Sequence, residues 1–170
     1  NFDRAIQLLN QAILIQPNHV QSHSNLGAVY KELGKTEKAM SYYQKAINIK
    51  PDYPDAHNNL GVVFNELGEV QKAITCYQKA INIKPDYADA YYNLGNALHK
   101  LNKYQEAIIS YEKVIQINPN YAPAYYNLGN ALSVIGEFQK AISCYRKAID
   151  SKKDYALAYN NMLFTLLYLE

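Results

Sequence analysis

Asn93-Leu94-Gly95-Asn96-Ala97-Leu98-His99-Lys100-Leu101-Asn102 reads as a helix that carries a glycine and runs to its stop at Asn102, and its opening triplet is not unique in the chain. Asn-Leu-Gly stands also at Asn25-Leu26-Gly27, Asn59-Leu60-Gly61 and Asn127-Leu128-Gly129, each copy 34 residues after the last, and an altered copy follows at Asn161-Met162-Leu163. A fixed period of this length is the signature of stacked supersecondary units. The register gives complete repeats at 20–53, 54–87, 88–121 and 122–155, with a second-half unit at 1–19 and a first-half unit at 156–170.

Glycine and proline punctuate each repeat. Gly27, Gly61, Gly95 and Gly129 lie inside the first half, where each costs about 1 kcal/mol of helix propensity against alanine. Close approach of a neighbouring helix is the compensation expected. Gly34, Gly68 and Gly136 fall seven residues later, and the third repeat has Asn102 there. Glycine with asparagine as its substitute marks a left-handed helix stop. Pro17, Pro51, Pro85 and Pro119 end the second half, and the Asn18, Asp52, Asp86 and Asn120 that follow are expected to cap the next helix. Each unit is therefore helix, tight turn, helix, loop. The second helices share a stripe of Ala39, Tyr43, Ala46 and Ile47, repeated at Ala73, Tyr77, Ala80 and Ile81, at Ala107, Tyr111, Val114 and Ile115, and at Ala141, Tyr145, Ala148 and Ile149. Small residues with one tyrosine per helix suit a close-packed seam.

The composition excludes several function classes. Lys plus Arg number 17 and Asp plus Glu 15, so the net charge of +2 gives no field for an obligate nucleic-acid or membrane-surface binder. The apolar run from Met162 to Leu169 is too short to span a bilayer. The chain opens Asn1-Phe2-Asp3-Arg4 with no apolar targeting region behind it, so a secretion signal is either absent or already removed. Two cysteines in 170 residues make no disulfide framework, which points to a reducing, cytoplasmic location. Cys76 and Cys144 occupy the same place in repeats two apart and are expected to be free thiols. No phosphate loop, nucleophile motif or Cys-x-x-Cys pair is present, so no enzyme activity, cofactor or metal is expected of this segment. His19 and His23 are spaced to share a metal, but nothing completes the ligand set.

With its period, the bulky residue three before Leu-Gly, the residue three after that glycine (Tyr30, Phe64, Leu98, Leu132), the Ala-Tyr-Ala seam and the prolines, the whole chain resembles a tetratricopeptide repeat (TPR) array. It departs at Lys153, where proline is expected, and at His23 and His57, where Tyr91, Tyr125 and Tyr159 supply the family's large aromatic in other repeats, so lower local rigidity is expected at those places. The resemblance implies an all-α, right-handed solenoid of antiparallel helix pairs whose first helices line a concave groove, and a role in protein–protein interaction.

On such first helices the asparagine column Asn25, Asn59, Asn93, Asn127 and Asn161 stands out, because asparagine is a poor helix former. One carboxamide offers an acceptor and two donors, so the column could hold an extended polypeptide by its backbone whatever its sequence. Asn96 and Asn130 lie one turn further on the same face and are read as further unsatisfied amides, with Tyr92 and Tyr126 beside them as contacts for ligand side chains. On this reading an alanine in the column costs affinity and leaves stability unchanged. The alternative is that the amides bond between neighbouring first helices and only stiffen a structural, self-associating scaffold. The carboxylate clamp of chaperone-binding TPR modules is missing, since Gln21, Ser24, Asp55, Asn58, Asp89, Tyr92 and Pro123 stand at the matching positions. An asparagine ladder is similar instead to the TPR region of O-linked N-acetylglucosamine transferases, which implies a substrate-recruiting part of a larger glycosyltransferase-like protein; the segment 158–168 resembles the passage from such an array toward its catalytic region. The two half units leave Ile6, Leu9 and Ile13 at one end and Leu163, Leu166 and Leu167 at the other uncovered, so end-to-end self-association is expected as well.

Overall fold

The computed structural model describes residues 1–168; Leu169 and Glu170, the last two of the 156–170 half unit, lie outside the described residues. Among the described residues every regular element is a helix. The chain divides into two compact units, the first running Asn1–Pro85 and the second beginning at Asp86.

In the first unit α1 (Phe2–Ile15) is followed by α2 (Val20–Glu32), α3 (Thr36–Ile49), α4 (Pro54–Glu66) and α5 (Val70–Ile83). Helices α2 and α3 pair, as do α4 and α5; α3 packs on α4, and α1 lies against α2. The second unit holds α6 (Ala88–Lys100), α7 (Tyr104–Ile117), α8 (Ala122–Val134), α9 (Phe138–Ser151) and α10 (Ala156–Leu166). Here α6 pairs with α7 and α8 with α9, while α7 packs on α8 and α9 on α10. Each unit is thus a short solenoid of antiparallel helix pairs.

The tight turn inside each pair is set by one residue of positive φ. Gly34, Gly68 and Gly136 have φ of 69°, 79° and 83°, and Asn102, the substitute, has 60°. Around each, a backbone bond closes six residues: Lys35 N–H donates to the Tyr30 carbonyl, Glu69 to Phe64, Lys103 to Leu98 and Glu137 to Leu132, all at 2.9–3.0 Å. That is the Schellman stop the sequence signals.

The seam packs as its pattern implies. Tyr43, Tyr77, Tyr111 and Tyr145 are each 1% exposed, and the flanking Ala39, Ala46, Ala73, Ala80, Ala107, Val114, Ala141 and Ala148 are fully buried. Each ring stands against the first-half glycine of its own repeat. A Cβ on Gly27, Gly61, Gly95 or Gly129 would stand 2.6 Å from the Cε1 of the tyrosine sixteen residues on, well inside van der Waals contact. Burial pushes the Tyr43 and Tyr145 phenols up to about 12 and raises those of Tyr77 and Tyr111. The unfolded chain therefore loses these protons first, near pH 10, and stability present below pH 10 is lost as pH rises toward 12. An alkaline titration should show phenolate absorbance from the seam rising together with loss of helical circular dichroism; four tyrosines ionising in a fully helical protein would contradict this packing.

Three expectations need correction. The residues after the prolines do not cap the next helix: Pro17–Asn18 and its counterparts form a turn, and the N-cap positions belong to His19, Tyr53, Tyr87 and Tyr121, none of which makes a side-chain cap bond. The departures at His23 and His57 are fastenings rather than weak points, because each imidazole Nε2 bonds the Pro17 or Pro51 carbonyl at 2.8 Å and ties a first helix to the preceding loop. On α1, Ile6, Leu9 and Ile13 are not the exposed stripe; they pack against the cluster of Leu26, Tyr30, Ala39 and Tyr43, leaving Leu8, Leu14 and Ile15 outward. At the other end Leu163, Leu166 and Leu167 are exposed as expected.

Candidate functional site

Helices α6, α8 and α10 are first helices, and a three- or four-residue step brings side chains to one helix face. Tyr92 and Asn96 share such a face on α6, as Tyr126 and Asn130 do on α8, and Asn127 and Asn161 reach back from the following first helix. Asn127 Nδ2 donates to Asn96 Oδ1 at 2.8 Å and to the Tyr92 hydroxyl at 3.2 Å, while the Tyr111 hydroxyl donates to the same Asn96 Oδ1 at 2.9 Å. One repeat later the circuit is reproduced. Asn161 Nδ2 donates to Asn130 Oδ1 at 2.8 Å and to the Tyr126 hydroxyl at 3.1 Å, and the Tyr145 hydroxyl donates to Asn130 Oδ1 at 3.0 Å. The seam tyrosines thus reach through the helix pair to hold the amides of the inner face. Tyr92 is steadied edge-on against Tyr121 at 5.3 Å, and Tyr126 lies 5.1 Å from Tyr155.

Both lone pairs of Asn96 Oδ1 and of Asn130 Oδ1 are engaged, which fixes the amide planes. Their carbonyls are therefore not the unsatisfied groups expected from the sequence; the NH2 groups, which make no bond to the described residues, are what they present. Asn127 and Asn161 are the reverse, with the NH2 engaged between repeats and the carbonyl oxygen left over. The column is not uniform along the chain. Asn25 is exposed and its Oδ1 accepts from Gln21 Nε2 at 2.9 Å. Gln21 also accepts the Tyr53 hydroxyl. Asn59 Oδ1 receives Asn58 Nδ2 at 3.4 Å, because the residues at the Tyr92 and Asn96 positions on α2 are Ser24 and Ala28. Asn93 is half-buried on α6.

Sequence reasoning missed three participants. Tyr111 and Tyr145 were assigned to packing alone, although a buried phenol needs a partner for its hydroxyl. His99, on the last turn of α6, was not singled out. Its imidazole stands edge-on to Tyr104 at 5.1 Å, its Nε2 is buried without a partner, and burial lowers its pKa below the usual 6.5. Together Asn96, His99, Tyr111, Asn127 and Asn130 line a recess of about 110 Å³. A second recess of about 350 Å³ adjoins it, with Ser133, Val134, Phe164, Thr165 and Tyr168 in its walls.

Other candidates hold little chemistry. His19 Nδ1 bonds Ser22 Oγ at 2.7 Å and His23 Nε2 bonds the Pro17 carbonyl, so both rings are engaged in local structure. Cys76 and Cys144 are free and half-buried; burial raises both thiols, Cys144 to about 11. A raised thiol pKa means little thiolate and slow attack. Denatured protein should titrate two thiols without reductant, and native protein at pH 8 should alkylate Cys144 more slowly than a free thiol. Fast native modification of Cys144 would contradict its burial.

The TPR repeat model matches residues 29–68 and 63–102, and tetratricopeptide repeat models match 8–40, 88–121 and 122–155. No curated protein sequence matches the chain. Among solved structures, MamA is 31% identical, with a TM-score of 0.81 over 91% of each chain. MamA from Desulfovibrio magneticus RS-1, residues 41 to the end, is 25% identical with a TM-score of 0.81, covering 88% of this chain and 84% of that one. YrrB, described as a TPR protein with an unusual peptide-binding site, is 22% identical with a TM-score of 0.83, covering 94% of this chain and 82% of that one.

Proposed function

The chain belongs to the tetratricopeptide repeat family, and from that premise we propose that it is a protein-interaction module holding an extended polypeptide along the first-helix face, with α6, α8 and α10 as the best-equipped stretch. The observation that carries this is the pair of locked amides, Asn96 and Asn130, whose NH2 groups are held in place by hydrogen bonds to their carbonyls. The left-over carbonyl oxygens of Asn127 and Asn161 supply acceptors between them. A polypeptide backbone alternates N–H and C=O and can meet both. Tyr92 and Tyr126 flank the amides as apolar contacts, Asn93 is a further contact on α6, and within the Asn1–Pro85 unit Asn25 and Asn59 hold the corresponding positions. Each hydrogen bond so made contributes about 0.5 to 1.5 kcal/mol net. The peptide-binding site ascribed to YrrB supports a peptide ligand for this fold. The finer reading, recruitment of polypeptide substrate for an O-GlcNAc-type glycosyltransferase, rests on the asparagine column and the 158–168 segment alone. Two unlinked thiols fit a cytoplasmic setting, and none of the described helices is long and apolar enough to cross a membrane.

Panning a random dodecapeptide library on the chain and measuring the enriched peptides by fluorescence anisotropy tests the proposal. Binding that weakens roughly tenfold when Tyr92 and Tyr126 are both replaced by Ala is the expected result; no enrichment, or enriched peptides indifferent to those changes, would count against it. A self-associating scaffold is the second reading, favoured by the outward Leu163, Phe164 and Leu167 of the last segment, 59%, 63% and 62% exposed. Sedimentation velocity over a range of concentrations distinguishes it, since a strict monomer would remove that support.

A further inference from the structure

The recess beside His99 has a composition that a general backbone grip does not explain. Its lining consists of Asn96, His99, Tyr111, Asn127 and Asn130, with no lysine, arginine or acidic residue. The hydrogen bonds already made decide what each amide still offers. Asn96 and Asn130 have both carbonyl lone pairs engaged and present N–H; Asn127 has its NH2 engaged and presents Oδ1. Tyr111 gives its proton to Asn96. His99 Nε2 is buried and unpaired, and a neutral imidazole nitrogen there donates or accepts according to tautomer. A buried nitrogen without a partner costs free energy that only a ligand or water can recover. The equivalent positions in the other repeats hold Lys31, Asn65 and Ser133, so the imidazole belongs to this repeat only.

We propose that this recess receives the carboxamide of a glutamine or asparagine side chain of the bound polypeptide, which gives the otherwise sequence-neutral face a preference for one residue class. The inference rests on the polypeptide reading above. A carboxamide carries one carbonyl and one NH2 on a single planar group, matching the N–H of Asn96 and Asn130 on one side and the Asn127 oxygen on the other. The volume of about 110 Å³ equals that of three or four waters at about 30 Å³ each, which admits such an end group. A carboxylate of the same shape is disfavoured, because it would be desolvated with no cation beside it, and the Asn127 oxygen would face it without a proton.

The test is an NMR titration of the whole chain with acetamide, acetate and N-methylacetamide, observing the His99 imidazole and the side-chain NH2 signals of Asn96 and Asn130. Acetamide should move these signals saturably, with acetate at least about tenfold weaker and N-methylacetamide, the mimic of a backbone unit, weaker as well. His99→Ala, which breaks no hydrogen bond of the fold, should abolish the acetamide response while the backbone amide spectrum stays native. Equal or tighter binding of acetate, equal binding of N-methylacetamide, or no saturable shift overturns the proposal, and these arms use the unmodified protein. A glutamine-containing dodecapeptide should then displace acetamide and its Gln→Ala form should not. If acetamide saturates the recess and no such peptide displaces it, the polypeptide reading is what fails.

Discussion

Gly95→Ala is expected to destabilise the protein by about 2 kcal/mol net, although alanine is the better helix former by about 1 kcal/mol. The added Cβ would stand 2.6 Å from Tyr111 Cε1 and 2.8 Å from Cδ1. That ring has no room to yield, being 1% exposed and tied by its hydroxyl to Asn96. For a chain of this size the loss corresponds to a melting temperature lower by roughly 4 to 8 °C. Thermal denaturation of the variant checks it, and Tyr111→Val supplies the second arm, because it removes Cδ1, Cε1 and Cζ together. In the Tyr111→Val background Gly95→Ala should become neutral or stabilising. A Gly95→Ala protein as stable as the parent would mean that the tyrosine is not seated on the glycine.

Asn127→Ala is expected to lower stability by about 1 to 2 kcal/mol, since two hydrogen bonds of about 0.5 to 1.5 kcal/mol each are lost and only about 0.5 kcal/mol of helix propensity is regained. Asn25→Ala, at the same place in the repeat, should be neutral or slightly stabilising, because Asn25 is exposed and bonded only within its own helix. Comparing the two by chemical denaturation separates one column into two environments. The expectation of no stability cost anywhere in the column does not hold at Asn127 and Asn161, whose NH2 groups link successive first helices. This bracing and the proposed ligand contacts use different atoms of the same side chains.

What the sequence made legible is what a single residue type decides locally. A positive φ selects glycine or asparagine, so Gly34, Gly68, Asn102 and Gly136 announced the turns. Gly27, Gly61, Gly95 and Gly129 announced a close approach, but that the tyrosine of the same repeat makes it showed only in the packing. What stayed hidden depends on groups brought together from distant positions. The Asn127 amide finds Asn96 and Tyr92 across 31 and 35 residues, and no count along one helix shows which end of the amide is engaged. His23 and His57 looked like departures because their partners are backbone carbonyls, which carry no sequence signature. Asn18 and Asp52 looked like caps because the same residue types also favour turns. On α1 the mistaken stripe had the right spacing and the wrong face outward, which only the packing of α2 decides.

A polypeptide bound on the first helices must meet the locked amides, and mapping where an enriched dodecapeptide perturbs the NMR spectrum shows whether it does. Shifts are expected at Tyr92, Asn96, His99, Tyr126 and Asn130, with the side-chain NH2 signals of Asn96 and Asn130 among the largest. Shifts confined instead to the groove lined by Ile108, Leu128, Leu132 and Cys144, with those amides unmoved, would contradict binding on the first-helix face.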